Sequence, residues 1–175
     1  GPFAYDEKTD RILFLATLDG KDFSPMADTW TYDYNSDIWT KLAPIQSPTA
    51  GMIGARMVYD SESDRMILFG GYDIPNNGYF SETWVFDSRE NTWTKMEPTI
   101  SPPGTNFQSM IYDSDKDRVL MWGSVSDDGM WSYDYNTNTW SEVDDSGTPP
   151  LMDYTRMAYV PDLKQSVLFG GVDVP

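Results

Sequence analysis

Two residue types are missing from this chain: its 175 residues include no cysteine and no histidine. Without cysteine there are no disulfide staples, thiolate zinc sites, iron–sulfur clusters or thiol nucleophiles. Without histidine there is no Ser-His-Asp catalysis and no imidazole-ligated zinc, copper or haem. Basic residues are scarce: 12 Lys plus Arg against 28 Asp plus Glu leave a formal net charge of −16. That balance argues against gripping a nucleic-acid backbone, which requires cations to release counterions, and against anionic membrane surfaces. No apolar run approaches the roughly 20 residues of a membrane-spanning helix. What is present suits one domain with a real core, since 39% of residues are hydrophobic and 15% aromatic, more than a disordered chain carries. The chain opens on Gly1-Pro2, with no initiator Met and no signal-peptide pattern. That dipeptide reads as the remnant of a cleaved tag, with the natural start upstream, or equally as a processed native start.

The dominant feature is an internal repeat. Phe3-Ala4-Tyr5-Asp6, Met57-Val58-Tyr59-Asp60, Met110-Ile111-Tyr112-Asp113 and Met157-Ala158-Tyr159-Val160 fall into register. Asp-Arg follows in the first three copies, then an apolar run such as Met66-Ile67-Leu68-Phe69. Glycines come next as Gly70-Gly71, Gly123 and Gly170-Gly171, while the first copy has Ala16-Thr17. Each unit continues with Trp30, Trp84 or Trp131 and, nine residues later, Trp39, Trp93 or Trp140. The alternation in Trp84-Val85-Phe86-Asp87 is that of a half-buried strand, and tetrads such as Ser88-Arg89-Glu90-Asn91 supply hairpin turns. Each unit therefore predicts four short strands, with no sustained helical period anywhere. The units run from about 3 to 50, 57 to 104 and 110 to 151, with half a unit over 157 to 175, giving an all-β array of about fourteen strands.

These residues resemble kelch repeats, with Arg65 to Gly71 and Glu82 to Asp87 matching the pattern best. The resemblance implies a β-propeller with one four-stranded blade per repeat. Here that means three blades and half of a fourth, fewer than kelch rings commonly contain. It also implies a module whose blade-connecting loops bind a protein partner. The repeat tryptophans at 30, 39, 84, 93, 131 and 140, with Gly70, Gly71, Gly170 and Gly171, are expected to form the structural core of the array, because shared positions serve blade packing more often than a carbohydrate platform.

Several motifs bear on chemistry. Asp113-Ser114-Asp115-Lys116-Asp117 looks like the start of a calcium loop, but Arg118 stands where that loop needs glycine, so a turn with an Asp–Arg contact is the favoured reading. Calcium on the acidic surface stays open, since hard cations need only oxygen ligands; no other cofactor is expected. Asp127-Asp128 and Asp144-Asp145 are paired carboxylates of the kind glycosidases use, although adjacent acids in loops are more often solvated turns. Arg56 and Arg156 occupy the same repeat position, with Ser109 at the corresponding place in the third copy. They suit a salt bridge to a neighbouring blade or a binding surface on the ring face. Loops from Asp19 to Asp28, Tyr72 to Ser81 and Ser124 to Gly129 are candidate binding elements, with Tyr72, Asp73, Asn76, Asn77, Asp127 and Asp128 as candidate contacts.

Two function classes follow. The first is a non-catalytic module for protein interaction or structural assembly, acting through its loops or through open ends that join copies into a homo-oligomer or meet further blades of a longer propeller. The second is a carbohydrate-binding or carbohydrate-active propeller enzyme. Galactose oxidase has a kelch-like propeller, but its copper chemistry needs a cross-linked cysteine and histidine ligands, and this chain has neither residue type. A secreted or cell-surface setting is slightly favoured over the cytoplasm.

Overall fold

The computed structural model describes residues 1–123, 129–144 and 155–170, together with the backbone of 152–153 and 172–173. Blade one pairs β1 (Phe3–Asp6), β2 (Arg11–Leu18), β3 (Pro25–Asp33) and β4 (Ile38–Lys41) in chain order. Blade two begins with β5 (Arg56–Asp60) and β6 (Arg65–Phe69). A small hairpin of β7 (Tyr72–Asp73) and β8 (Gly78–Tyr79) follows, and β9 (Thr83–Asp87) and β10 (Thr92–Met96) complete the sheet. Blade three is β11 (Ser109–Asp113), β12 (Arg118–Trp122), β13 (Met130–Asp134) and β14 (Thr139–Val143), again in order. The two-residue strands β15 (Met152–Asp153) and β18 (Val172–Asp173) pair with each other and bracket the half blade, β16 (Arg156–Val160) with β17 (Gln165–Phe169). All pairings are antiparallel. Fourteen strands have four or more residues and the other four have two, while the helical content among the described residues is a single 3-10 turn at Pro161–Leu163. The protein is thus an all-β propeller built from kelch-type blades.

The first strand of each blade lies innermost. Strand β1 packs beside β5, β5 beside β11 and β11 beside β16, so the sheets fan out from a shared axis. Two clusters fill the junctions. Between blades one and two, Leu13 and Leu15 meet Met66, Leu68, Phe86 and Trp93. Between blades two and three, Ile67 and Phe69 meet Val119, Met121, Tyr133 and Trp140. Alternating side chains on each second strand serve opposite junctions, which is why the apolar run is continuous rather than alternating. The indole N–H of Trp93 donates to Thr29 Oγ1 of blade one at 2.9 Å, and Trp140 repeats this bond to Thr83 of blade two at 2.9 Å. A large ring is thereby buried with its only polar atom satisfied.

Trp84, Trp93, Trp131 and Trp140 are buried as expected, but Trp30 is half-buried and Trp39 is 53% exposed. Both lie on the face of blade one that has no blade before it. Burial of a repeat position depends on the neighbouring blade, not on its own strand. Gly70 and Gly71 adopt φ of 76° and 119°, and a Cβ on them would meet Thr105 O at 2.5 Å and the Met52 backbone at 2.7 Å. Glycine is required there twice over, by conformation and by space. Gly170 keeps the positive φ, 78°, but stands exposed with nothing within 4 Å of its Cβ position. Gly171 lies outside the described residues.

Candidate functional site: an arginine-lined hollow on the axis

One repeat position holds Pro2, just before β1, and Arg56, Ser109 and Arg156, the first residues of β5, β11 and β16. Because the first strands surround the axis, these residues gather at one end of it. The third position has turned inward: Ser109 is buried and its Oγ accepts from Met157 N at 2.7 Å, tying β16 to blade three. The two arginines instead line a common hollow of about 570 Å³, with Phe14, Ile53, Gly54 and Phe107 in its wall. A second depression of about 290 Å³, beside Pro2 and Phe3, is also lined by both arginines.

Arg56 is held from two sides. Its Nε donates to Gln108 O at 2.8 Å, and its guanidinium lies 5.9 Å from the centroid of Phe107. Burial, and after it the charge of Arg156, hold its pKa below the ordinary guanidinium value. Arg156 donates from Nη1 to Thr155 O at 2.8 Å. Eight of the chain's twelve basic side chains form ion pairs among the described residues. Neither Arg56 nor Arg156 is among them, so among the described residues this pair makes no salt bridge to a neighbouring blade. Half-buried Arg56 and exposed Arg156 thus set two like charges at one hollow in a protein of net charge −16. That arrangement costs free energy unless an anion enters. Guanidinium groups are suited to carboxylate or phosphate through parallel N–H donors.

The loop candidates behave differently. Tyr72 and Asp73 form β7, and their polar groups are used locally: the Tyr72 hydroxyl donates to Asn77 Oδ1, and Asn76 Nδ2 donates to Asp73 Oδ2 at 2.6 Å. The segment read as an open loop is therefore a self-bonded hairpin. Its base reaches the hollow through reciprocal backbone bonds between Tyr72 and Ile53. Asn76 and Asn77 are exposed at its tip. Asp127, Asp128 and Asp145 lie outside the described residues.

In the first two copies the calcium-like turn is occupied by the chain itself. Asp60 Oδ1 accepts from Glu62 N and Ser63 N at 3.0 and 3.1 Å, and Asp6 does the same with Lys8 N and Thr9 N. The expected Asp–Arg contact within the turn forms in the third copy, Arg118 to Asp113 at 3.3 Å. In the first two copies the arginine reaches across instead, Arg11 to Asp33 and Arg65 to Asp87. Among the described residues no group of three acidic side chains is placed to hold a metal ion.

A device that sequence reasoning missed recurs through the fold. Tyr5, Tyr32, Tyr59, Tyr112 and Tyr133 each donate to an Asp or Asn five residues on, at 2.6 to 2.9 Å, and Tyr72 with Asn77 makes a sixth copy. Every acceptor residue has φ between 48° and 60°. The signal was present as a tyrosine with Asp or Asn at a spacing of five.

No curated protein matches the chain. The sequence model of the KLHDC2/KLHL20/DRC7 Kelch-repeats domain matches residues 10–174. With its four-stranded blades, the Gly70-Gly71 pair and the junction tryptophans in their repeat positions, the chain belongs to this kelch-repeat family.

Proposed function

We propose that this propeller is a non-catalytic protein-interaction module, and that it takes an anionic group of its partner into the hollow between Arg56 and Arg156. The carrying observation is that these two arginines, alone together in one hollow, have no carboxylate partner among the described residues. The hollow's apolar wall of Phe14, Ile53 and Phe107 favours a peptide carrying an acidic group beside an apolar side chain. Family membership supports interaction rather than turnover. In this reading no cofactor is resident.

The test is titration of a panel of acidic and phosphorylated peptides against wild type and against Arg56→Gln with Arg156→Gln. A charge-assisted hydrogen bond contributes about 1.5–3 kcal/mol, so each substitution should weaken binding roughly tenfold or more. Affinity should also fall with added salt. Binding that ignores both substitutions would refute the site. A parallel glycoside-hydrolysis screen addresses the carbohydrate-active alternative, for which exposed Trp39 and half-buried Trp30, unlike Trp84, Trp93, Trp131 and Trp140, leave an accessible ring. A second reading, self-association through the open ends, is favoured by the exposure of Trp39 and Phe169.

A further inference from the structure

We infer that a crevice between blades one and two binds one neutral hydroxylated ring, a single sugar residue in its chemistry, through a hydroxyl that donates to Asn91 Oδ1. The crevice has a volume of about 210 Å³ and is walled by both blades, with Leu13 and Leu42 from the first and Phe86 and Asn91 from the second. Asp6, the last residue of β1, also lines it. The arginine hollow lies where the first strands begin, so the two sites are at opposite ends of those strands.

The repeats themselves show what the crevice lacks. At the position of Phe86, blades one and three carry tyrosine. The Tyr32 hydroxyl donates to Asp37 Oδ1 at 2.8 Å and the Tyr133 hydroxyl to Asn138 Oδ1 at 2.9 Å. Blade two keeps the acceptor and loses the donor. Asn91 has φ of 47°, beside 55° for Asp37 and 51° for Asn138, so the turn has the same shape in all three blades. Asn91 Oδ1 is nevertheless buried without a partner among the described residues. An unpaired buried oxygen is costly, and here an O–H from outside the chain can reach the place where the other blades put their own. A polar cavity of this size admits water. A guest displaces that water with profit only if its hydroxyls remake the same bonds.

The walls decide the charge of the guest. Asp6 is 2% exposed, and its carboxylate accepts from Lys8 N, Thr9 N and Ser88 Oγ. A buried carboxylate in the wall repels an anion. Arg11 also lines the crevice, its side chain 51% exposed, which puts it at the mouth and repels an ammonium group. It approaches Asp33 only to 3.6 Å, longer than a hydrogen bond, so its N–H donors can serve a guest. What satisfies both walls is a neutral group that donates to Asn91 and accepts from Arg11, which is a hydroxyl. Leu13 and Leu42 suit the C–H face of a ring between such hydroxyls. Pockets for drug-sized ligands start at about 300 Å³, so this smaller space suits one ring. A free monosaccharide and the terminal residue of a glycan share that chemistry.

Ligand-detected NMR and thermal melts of the whole chain test this. The panel is glucose, galactose, mannose and fucose, their methyl glycosides, and myo-inositol. At least one member should bind with Kd on the order of millimolar, as suits a ligand of about twelve heavy atoms, and should raise the melting temperature. Binding kept in the methyl glycoside assigns a glycan terminus, and binding lost there assigns the free sugar. Phe86→Tyr supplies the missing hydroxyl from the chain, so it should weaken binding roughly tenfold or more, with a melt that shows it folded. Arg11→Met, at the exposed mouth, should weaken binding several-fold by removing donors while keeping the aliphatic stem. Failure of every panel member to bind would overturn the inference. So would binding that is unchanged in Phe86→Tyr or in Arg11→Met, since the sugar would then sit elsewhere.

Discussion

Phe86 is the single place in the described turns of strands three and four where the tyrosine lock is broken. Tyr32 and Tyr133 hold the equivalent position and donate to Asp37 and Asn138. Phe86 has no hydroxyl, and Asn91 Oδ1, the acceptor it would serve, is buried without a partner among the described residues. A cavity of about 210 Å³ lies beside both residues, so there is room for one more oxygen. Phe86→Tyr should therefore stabilise the protein by about 0.5–1.5 kcal/mol, the net worth of a hydrogen bond made to a buried orphan group. Thermal unfolding checks it; a lower melting temperature would mean that the hydroxyl clashes instead. This residue pattern was legible in the sequence as a spacing of five, since a hairpin turn needs an acceptor tolerant of positive φ and Asp and Asn are those residues. Arg56 and Arg156 were legible as one repeat position; that both line a single hollow was not, because 100 residues separate them and only the ring of first strands brings them together.

At the scale of elements, the fourteen longer strands and their order were readable, because tryptophans nine apart fix the register of each outer hairpin, as in Trp93 opposite Phe86. The β7–β8 hairpin was not, since two-residue strands leave no alternation to detect. Burial was readable only in part. Trp39 and Trp93 have the same local sequence environment and opposite surroundings, one open and one sealed by blade one. The same substitution should therefore give different answers. Trp93→Ala should cost about 3–5 kcal/mol, as expected for a buried aromatic, with the added loss of the bond to Thr29. Trp39→Ala in dilute protein should cost about 1 kcal/mol. Urea midpoints of the two variants measure the contrast, and equal losses would mean that blade one's face is covered even in dilute solution.

The whole molecule should have a broad pH plateau bounded by two different chemistries. Without histidine or cysteine, no side chain has an intrinsic pKa near neutrality. On the acid side, burial would raise Asp64, but the Tyr59 hydroxyl and the charges of Lys8 and Arg89 outweigh it and leave its pKa lowered. Glu82 is likewise lowered, its burial outweighed by Lys95, Trp84 and Thr49. Depressed folded values mean stability that is present above the unfolded carboxylate pKa of about 4 and is lost as pH falls through the folded values. On the alkaline side, burial first, then neighbouring acids or tyrosine, raises Tyr59, Tyr112 and Tyr133. Their contribution is intact below about 10 and lost as pH rises beyond it. Denaturant midpoints at pH 3, 7 and 11 should show the highest value in the middle; an unchanged midpoint at pH 11 would show that the tyrosine hydroxyls carry no linkage.

The side-by-side order of the first strands has a kinetic corollary. Among the described residues each sheet packs chiefly against the sheets next to it, β1 to β5, β5 to β11 and β11 to β16, so the array behaves as a short one-dimensional chain of coupled units. Blade two alone is a complete sheet with a complete sheet on either side, while the half blade, among the described residues, has two strands and one neighbouring sheet. Opening should therefore start at the β16–β17 end and travel inward, with amide hydrogens of β6 and β9 exchanging last and those of β17 first. The slowest-exchanging amides mark the fold's kinetic anchor, and the structure places it in the middle of the sequence.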